Sequence, residues 1–121
     1  MLNFDSVMIG TTQPKVLSDF YKKVFEAEPV WDEGDWTAFK IGVGSIAIGP
    51  HSDISGSNKE PARIMFNISS DDPRKEFDRI KAAGAKIIAE PYDAGNEEGS
   101  MIMCTFADLD GKYCQVTTAW E

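Results

Sequence analysis

The sequence predicts an α+β fold of two tandem βαβββ modules that form a curved mixed sheet with a central cleft. Two observations carry this prediction. The order strand, helix and three strands occurs twice along the 121 residues, and a polar, turn-rich segment at residues 53–61 separates the two copies. A sheet with a helix on one face must also cover its other apolar face. Two such halves are therefore expected to pair and to leave a concave site between them.

Module one, residues 1–52, begins with an apolar strand over residues 4–10. Pro14 opens the following helix, because proline is well tolerated in the first helical turn. Apolar side chains at helical spacing give that helix one buried face: Leu17, Phe20, Tyr21 and Val24. Short apolar runs between turn residues then predict three strands, at 29–31, 36–42 and 45–49.

Module two, residues 62–121, repeats this order with a strand over residues 62–69. Asp72 and Pro73 predict the N-cap and the first residue of its helix, and Gly84 is expected to end that helix. The buried face of the helix is expected to carry Phe77, Ile80 and Ala83. Three further strands are predicted at 85–90, 100–107 and 112–119.

Composition narrows the class of protein. The net charge of −8 disfavours a nucleic-acid partner, because phosphate binding needs a basic face. No apolar run approaches the roughly 20 residues that a membrane helix needs, and the first residues lack the pattern of a signal peptide. We expect a single cytoplasmic domain, 1–121, with no membrane partner. Cys104 and Cys114 flank a turn and could form a cross-strand disulfide, but the expected compartment favours free thiols.

Three segments together resemble one protein family. They are "SDFYKKVFEAEPVW" at 18–31, "EFDRIKAAGAKIIAEP" at 76–91 and the turn "FADLDGKYCQV" at 106–116, in which Leu109 replaces the proline usual in that turn. In this order and within this repeat, they are similar to the vicinal oxygen chelate superfamily. That superfamily includes glyoxalase I, extradiol dioxygenases, fosfomycin-resistance enzymes and bleomycin-resistance binding proteins.

The resemblance implies four strand positions for a divalent cation, usually occupied by His, Glu, His and Glu. The matching residues here are Ser6, Ala47, Arg63 and Gln115. None is a good ligand, because divalent cations favour carboxylate, imidazole or thiolate groups, and the positive charge of Arg63 would repel them. We therefore expect no metal and no other cofactor. Lyase, isomerase or dioxygenase chemistry that depends on the family metal is expected to be absent too.

Without a metal, the cleft is expected to bind a small molecule. Arg63 could hold a carboxylate or phosphate of this ligand, or it could pair with a structural acid. Trp36, with Trp31, could stack on the ligand, or the two could pack as a cross-strand pair or at a dimer interface. The predicted ligand-binding residues are Ser6, Met8, Trp36, Ala47, Arg63, Met65, Tyr92, Met103 and Gln115.

These residues favour a metal-independent, sequestration-type protein that binds an aromatic or cationic small molecule. One alternative is an enzyme of the same fold, lyase-, isomerase- or dioxygenase-like, with unconventional active-site residues. Another is an interaction subunit whose cleft is vestigial. The resemblance also implies a homodimer, which would cover exposed sheet edges.

Overall fold

The computed structural model describes residues 1–119 and has the predicted element order, βαβββ followed by βαβββ. The chain divides into two compact units, Met1–Gly56 and a second that begins at Ser57. This boundary lies inside the polar segment 53–61. Each unit has its own four-stranded mixed sheet, where the sequence had suggested one curved sheet. The tandem βαβββ prediction is confirmed.

In the first unit the strand order is β1-β4-β3-β2, with β1 parallel to β4 and the other pairs antiparallel. The parallel pair is possible because α1 carries the chain across the sheet between β1 and β2. The elements are β1 (Ser6–Gly10), α1 (Pro14–Phe25), β2 (Trp31–Glu33), β3 (Trp36–Ile41) and β4 (Gly44–Gly49).

One face of this sheet packs against α1. Tyr21 and Phe39 have no exposed surface, and the Phe25 ring lies 5.2 Å from the Tyr21 ring and 5.7 Å from the Phe39 ring. Leu17 and Val24 are buried as predicted, whereas Phe20 is only half-buried, with its ring against the edge of Tyr21. Because side chains alternate along a strand, residues 36, 38 and 40 of β3 face away from α1.

The second unit repeats the arrangement, with strand order β5-β8-β7-β6 and β5 parallel to β8. Its helix begins as predicted, since an Asp72 carboxylate oxygen accepts a hydrogen bond from the Lys75 N–H at 3.1 Å. Phe77 and Ile80 are buried on its inner face as predicted, whereas Ala83 is exposed because the helix ends at Ala82 and Ala83 is its C-cap residue. The elements are β5 (Phe66–Ser69), α2 (Pro73–Ala82), β6 (Lys86–Asp93), β7 (Ile102–Ala107) and β8 (Tyr113–Thr117).

The last two strands of this unit are one or two residues shorter at some ends than predicted, and two other boundaries were wrong by three or four residues. The fifth strand begins at Phe66 rather than at residue 62, because a turn that hydrogen-bonds Arg63 N–H to Glu60 O at 3.1 Å takes up the preceding residues. The sixth strand extends to Asp93 rather than ending at residue 90. Pro91 is tolerated there because the register shifts between Ala89 and Tyr92, where a missing N–H disrupts little.

Both cysteines are buried free thiols. Cys104 lies opposite Val116 in the β7–β8 ladder, and Cys114 lies opposite Phe106, so neither cysteine is the direct cross-strand partner of the other. Burial raises the pKa of the Cys104 thiol. The two residues therefore act as small apolar side chains in this core. Within residues 1–119, no helix has the length and apolar character needed to cross a membrane.

Candidate functional site

The face of the first sheet that points away from α1 carries an apolar row across all four strands. Met8, Ala47, Ala38 and Trp31 are successive partners in register, on β1, β4, β3 and β2. The two alanines at its centre are short, so they form a low floor between larger end groups. Met8 is 53% exposed and Trp31 48% exposed. Contiguous exposed apolar surface of this kind is typical of a binding site.

Trp36 lies beside this row, on the same face of β3. An added Cβ at Gly49 would lie 2.2 Å from Trp36 Cε3 and 2.3 Å from Trp36 Cδ2, so the indole rests directly on the Gly49 backbone. Glycine is required here because any side chain would displace the ring. We call Met8, Trp31, Trp36, Ala38 and Ala47 together the aromatic face.

Ser6 lies near the aromatic face but one row away from it. Its partner in the parallel ladder is Ser45, while Ala47 is the partner of Met8. The structure therefore places three of the predicted site residues, Ser6, Met8 and Ala47, on one face of the first sheet, with Trp36. These side chains offer one hydroxyl group and otherwise apolar or aromatic surface.

In the second unit, Gln115 lies in a row of neutral polar side chains. Its partners are Asn67 on β5 and Thr105 on β7, and Gln115 Nε2 lies 3.5 Å from Thr105 Oγ1. We call these three residues the polar row. They can donate and accept hydrogen bonds without carrying charge. Asn67, at the β5 end of the row, is exposed.

Tyr92 and Met103 are direct partners across the β6–β7 ladder. The Tyr92 hydroxyl donates toward Met103 Sδ at 4.0 Å, a weak contact, and Tyr92 is 44% exposed. Tyr92 lies beyond residue 90, where its strand was predicted to end, but the structure places it within β6. Its ring is thus held by sheet pairing and still reaches solvent.

Arg63 lies before β5 and not within it, contrary to the expectation that it opens the strand. Its guanidinium forms two hydrogen bonds to the Glu60 carboxylate, at 2.7 and 3.1 Å. This pairing lowers the pKa of Glu60 and raises that of Arg63. Of the two alternatives for Arg63, the structure has the ion pair with a nearby acid. Met65, half-buried, also precedes the strand.

The four positions that the resemblance assigns to a metal do not fit one. Ala47 has no donor atom, and its neighbours Met8 and Ala38 supply neither carboxylate nor imidazole. Gln115 offers only a neutral amide. In the described part of the chain, no group of three or more His, Cys, Asp or Glu side chains is placed to hold a metal ion.

Asp93 closes the loop between β6 and β7. Its carboxylate accepts hydrogen bonds from the backbone N–H groups of Gly95, at 3.0 Å, and of Gly99. The Gly99 N–H, followed by that of Gly95, holds the pKa of Asp93 below its usual value. The loop that follows Tyr92 is thus ordered by one carboxylate.

Replacing Asp93 with asparagine is expected to loosen this loop, because an amide oxygen is a weaker acceptor than a carboxylate. Backbone amide exchange should accelerate at Gly95 and Gly99. In the wild type the lowered pKa means that the closed loop is favoured above the usual aspartate pKa of about 3.9 and is lost as the pH falls through the lowered value. Hydrogen exchange normalised to intrinsic rates measures both effects. Glu97→Gln removes the same charge from the loop and should leave the protection unchanged.

Lys112 is a buried lysine at the start of β8, with only 8% of its surface exposed. Its Nζ donates to the Ile64 carbonyl oxygen and lies 4.4 Å from the centre of the Phe66 ring. Its backbone N–H donates to an Asp108 carboxylate oxygen at 2.9 Å. Burial lowers the pKa of Lys112. Lys112 thus connects the segment before β5, through Ile64, to the turn before β8, through Asp108.

The pH dependence of stability should reveal this buried ammonium. Between the lowered pKa and the usual lysine value of about 10.4, the unfolded chain binds more protons, so stability rises with pH. We expect the free energy of unfolding of the wild type to rise relative to that of Lys112→Met as the pH increases through this window. Urea unfolding at several pH values measures the difference, and parallel pH profiles for the two proteins would contradict it.

The repeated βαβββ units define the class of fold, and comparison with known proteins defines the family. The chain matches the model of the Glyoxalase/Bleomycin resistance protein/Dioxygenase superfamily over residues 3–116, and it belongs to that family. This confirms the resemblance found in the sequence. The comparison with curated proteins gave no match.

The fold is shared with solved structures of several other proteins. The fosfomycin resistance protein FosX from Listeria monocytogenes has a TM-score of 0.73 and 18% identity, with 99% of this chain and 95% of that chain covered. TioX from Micromonospora sp. ML1 has a TM-score of 0.70 and 17% identity, covering 98% of each chain. A glyoxalase-related enzyme from Fulvimarina pelagi has a TM-score of 0.75 and 16% identity, covering 98% of this chain and 89% of that chain. At these identities the likeness shows the fold.

Proposed function

We propose that this protein is a metal-independent small-molecule binding protein. The aromatic face is the observation that carries the proposal, because it combines exposed aromatic and thioether surface with a low alanine floor. Flat apolar or aromatic groups bind to such surfaces by stacking and dispersion.

The donor set supports independence from a metal. One FosX crystal structure is a complex with Mn(II) and a sulfate ion. In this chain the corresponding positions inferred from the sequence are Ser6, Ala47, Arg63 and Gln115, which include no carboxylate and no imidazole. The proposed protein therefore recognises its ligand by shape, stacking and hydrogen bonds. Location in the cytoplasm and a homodimeric state remain predictions, and light scattering at micromolar concentration tests the dimer.

Two measurements test the proposal. Elemental analysis of the purified protein should find zinc, nickel, manganese and iron far below one equivalent per chain, and a stoichiometric metal would contradict it. A thermal-shift screen of small molecules, run with and without a chelator, should find ligands that raise the melting temperature equally in both. A ligand whose free concentration is about 100 times its Kd stabilises the folded state by about 2.7 kcal/mol.

The same ligands separate binding from catalysis. Mass spectrometry after prolonged incubation should recover the ligand unchanged. Conversion of the ligand would favour the alternative, an enzyme of the same fold. If no ligand emerges from a broad screen, or if Trp36→Ala leaves the affinity of every ligand unchanged, the aromatic face is not the binding site.

A further inference from the structure

The β2–β3 hairpin places one carboxylate and two indoles on the same face of the first sheet. Trp31 and Glu33 are two residues apart on β2, so their side chains leave the same face of the sheet. Trp36 is the direct partner of Glu33 across the hairpin. Side chains so paired have Cβ atoms about 4.5–5.5 Å apart, and diagonal neighbours lie about 7–8 Å apart. Glu33 therefore shares one face of the sheet with both tryptophans, and the Trp36 ring lies over Gly49, on the side of β3 away from Glu33.

Glu33 has no internal counter-ion. Among residues 1–119, no lysine, arginine or histidine nitrogen lies within 4.0 Å of its carboxylate. The adjacent Asp32 points to the opposite face, where Lys15 Nζ lies 3.9 Å from its carboxylate. Of the two carboxylates on β2, the unpaired one therefore lies on the side that also carries the aromatic rings.

The hairpin is held in position by contacts on its other side. Lys15 Nζ, from α1, donates to the Gly34 carbonyl oxygen at 2.5 Å, and Val30 N–H donates to Ala38 O at 2.8 Å. Trp36 rests on the backbone of Gly49 and is half-buried, so part of its side chain stays exposed. A ligand that contacts this exposed part would meet a ring whose position is already fixed, which lowers the entropic cost of binding.

We propose that Trp31, Glu33 and Trp36 form a half-cage that selects an organic cation. This inference rests on the proposed function and specifies its ligand class. Aromatic faces attract cations, and the attraction grows when a carboxylate neutralises the positive charge at the same place. A single carboxylate beside two indoles suits a cation with an apolar body, such as a substituted ammonium or a flat aromatic cation. A metal ion would be coordinated here by the Glu33 carboxylate alone, whereas divalent cations such as Ca²⁺ take about six to eight oxygen ligands.

Calorimetric titration at pH 8 with three probes of similar size tests the inference. The probes are N-methylquinolinium, which is cationic, quinoline, which is neutral at this pH, and naphthalene-1-sulfonate, which is anionic. We expect N-methylquinolinium to bind about tenfold more tightly than quinoline, and the sulfonate to bind most weakly. Equal affinity for the three probes, a preference for the sulfonate, or no binding of N-methylquinolinium would each overturn the inference.

Two substitutions of matched charge locate the effect. Glu33→Gln should weaken N-methylquinolinium binding about fivefold or more and leave quinoline binding unchanged. Asp32→Asn removes the same charge one residue away on the opposite face, and its pair with Lys15 joins two exposed side chains, so it should have a much smaller effect. Equal effects of the two substitutions would reduce the preference to overall charge and overturn the half-cage.

The result also distinguishes this inference from the proposed function. Neutral ligands found in the thermal-shift screen that depend on Trp36, together with no preference for N-methylquinolinium, would remove the cation site and leave the binding protein. Absence of any ligand would remove both. If the protein is a dimer that binds no probe and Trp31→Ala makes it monomeric, the face is an interface between copies and the half-cage is wrong.

Discussion

Replacing Gly49 with alanine is expected to drive the Trp36 ring from its place on the sheet. The added Cβ would lie 2.2–2.5 Å from three atoms of the indole, closer than any Cβ contact in a relaxed structure. A half-buried tryptophan that loses roughly 80 Å² of contact surface forfeits about 2 kcal/mol. The strand gains about 0.5–1 kcal/mol from exchanging glycine for alanine. The net expected loss in the free energy of unfolding is therefore about 1–1.5 kcal/mol, measured by urea unfolding.

A double-mutant cycle isolates the contact. In a Trp36→Ala background the added methyl group meets no ring, so Gly49→Ala should be neutral or stabilising by up to about 1 kcal/mol. The coupling between the two positions should thus be about 2 kcal/mol. Gly44→Ala is a matched control on the same strand, because its added Cβ would lie 3.7 Å from the nearest atom, the Ile41 carbonyl oxygen. Additive effects of Gly49→Ala and Trp36→Ala would show that the ring does not rest on Gly49.

The same variant also tests the binding site. If a ligand binds to the Trp36 ring in its observed position on Gly49, Gly49→Ala should weaken ligand binding by displacing the ring. The added methyl group itself need not contact the ligand. A binding loss in Gly49→Ala together with a normal Asp32→Asn control would separate the position of the ring from the general charge of the hairpin. If Gly49→Ala binds the ligand as tightly as the wild type, ligand affinity does not depend on the contact between the Trp36 ring and Gly49.

Sequence periodicity was sufficient for the order of elements because each helix and strand carries its own pattern. Leu17, Tyr21 and Val24 recur at helical spacing, and Asp72 with Pro73 marks a helix start by local chemistry alone. Strand ends were less predictable because they depend on pairing between distant segments. Strand β6 reaches Asp93 only because β7 continues to pair with it across a register shift, which no local pattern in "AKIIAEPYD" encodes.

The candidate site was predictable in composition but not in arrangement. The family resemblance implied that Met8 and Ala47 belong to one site, and the structure places them as direct partners on β1 and β4. Nothing in the sequence showed that Trp36 rests on Gly49, since that contact depends on which β4 residue lies opposite β3. Glu33 was missed because an acid in a turn-forming segment is usually a solvated turn residue. Its register opposite Trp36 distinguishes it.

For Arg63, the family pattern predicted a site residue, and the structure instead has it in a local ion pair. Its place in the family pattern suggested a strand residue, yet the nearby Glu60 offers a carboxylate three residues away, and a turn brings the two together. Local ion pairing of this type was considered from the sequence as an alternative. The alternatives could not be separated without knowing where the strand begins, which depends on the pairing of Phe66 with Cys114 in β8.

The largest loss of stability from one substitution in the first unit is expected for Phe39→Ala. Phe39 has no exposed surface, and its ring packs at 5.7 Å against Phe25, which in turn stacks on Tyr21. Removing a buried phenyl ring costs about 3–5 kcal/mol, from lost transfer energy and from the cavity left behind. This is a large share of the roughly 5–15 kcal/mol that stabilises an ordinary domain. Circular dichroism and urea unfolding should therefore find a strongly destabilised variant.

Val43→Ala is the matched control for this substitution. Val43 lies in the turn between β3 and β4, four residues along the chain, and is fully exposed. Trimming it should change the free energy of unfolding by no more than about 0.5 kcal/mol. The two variants thus contrast an apolar side chain on the α1 side of the sheet with one in solvent. A loss for Phe39→Ala as small as that for Val43→Ala would mean that α1 does not pack on this face, and the assignment of the opposite face to ligand binding would fall with it.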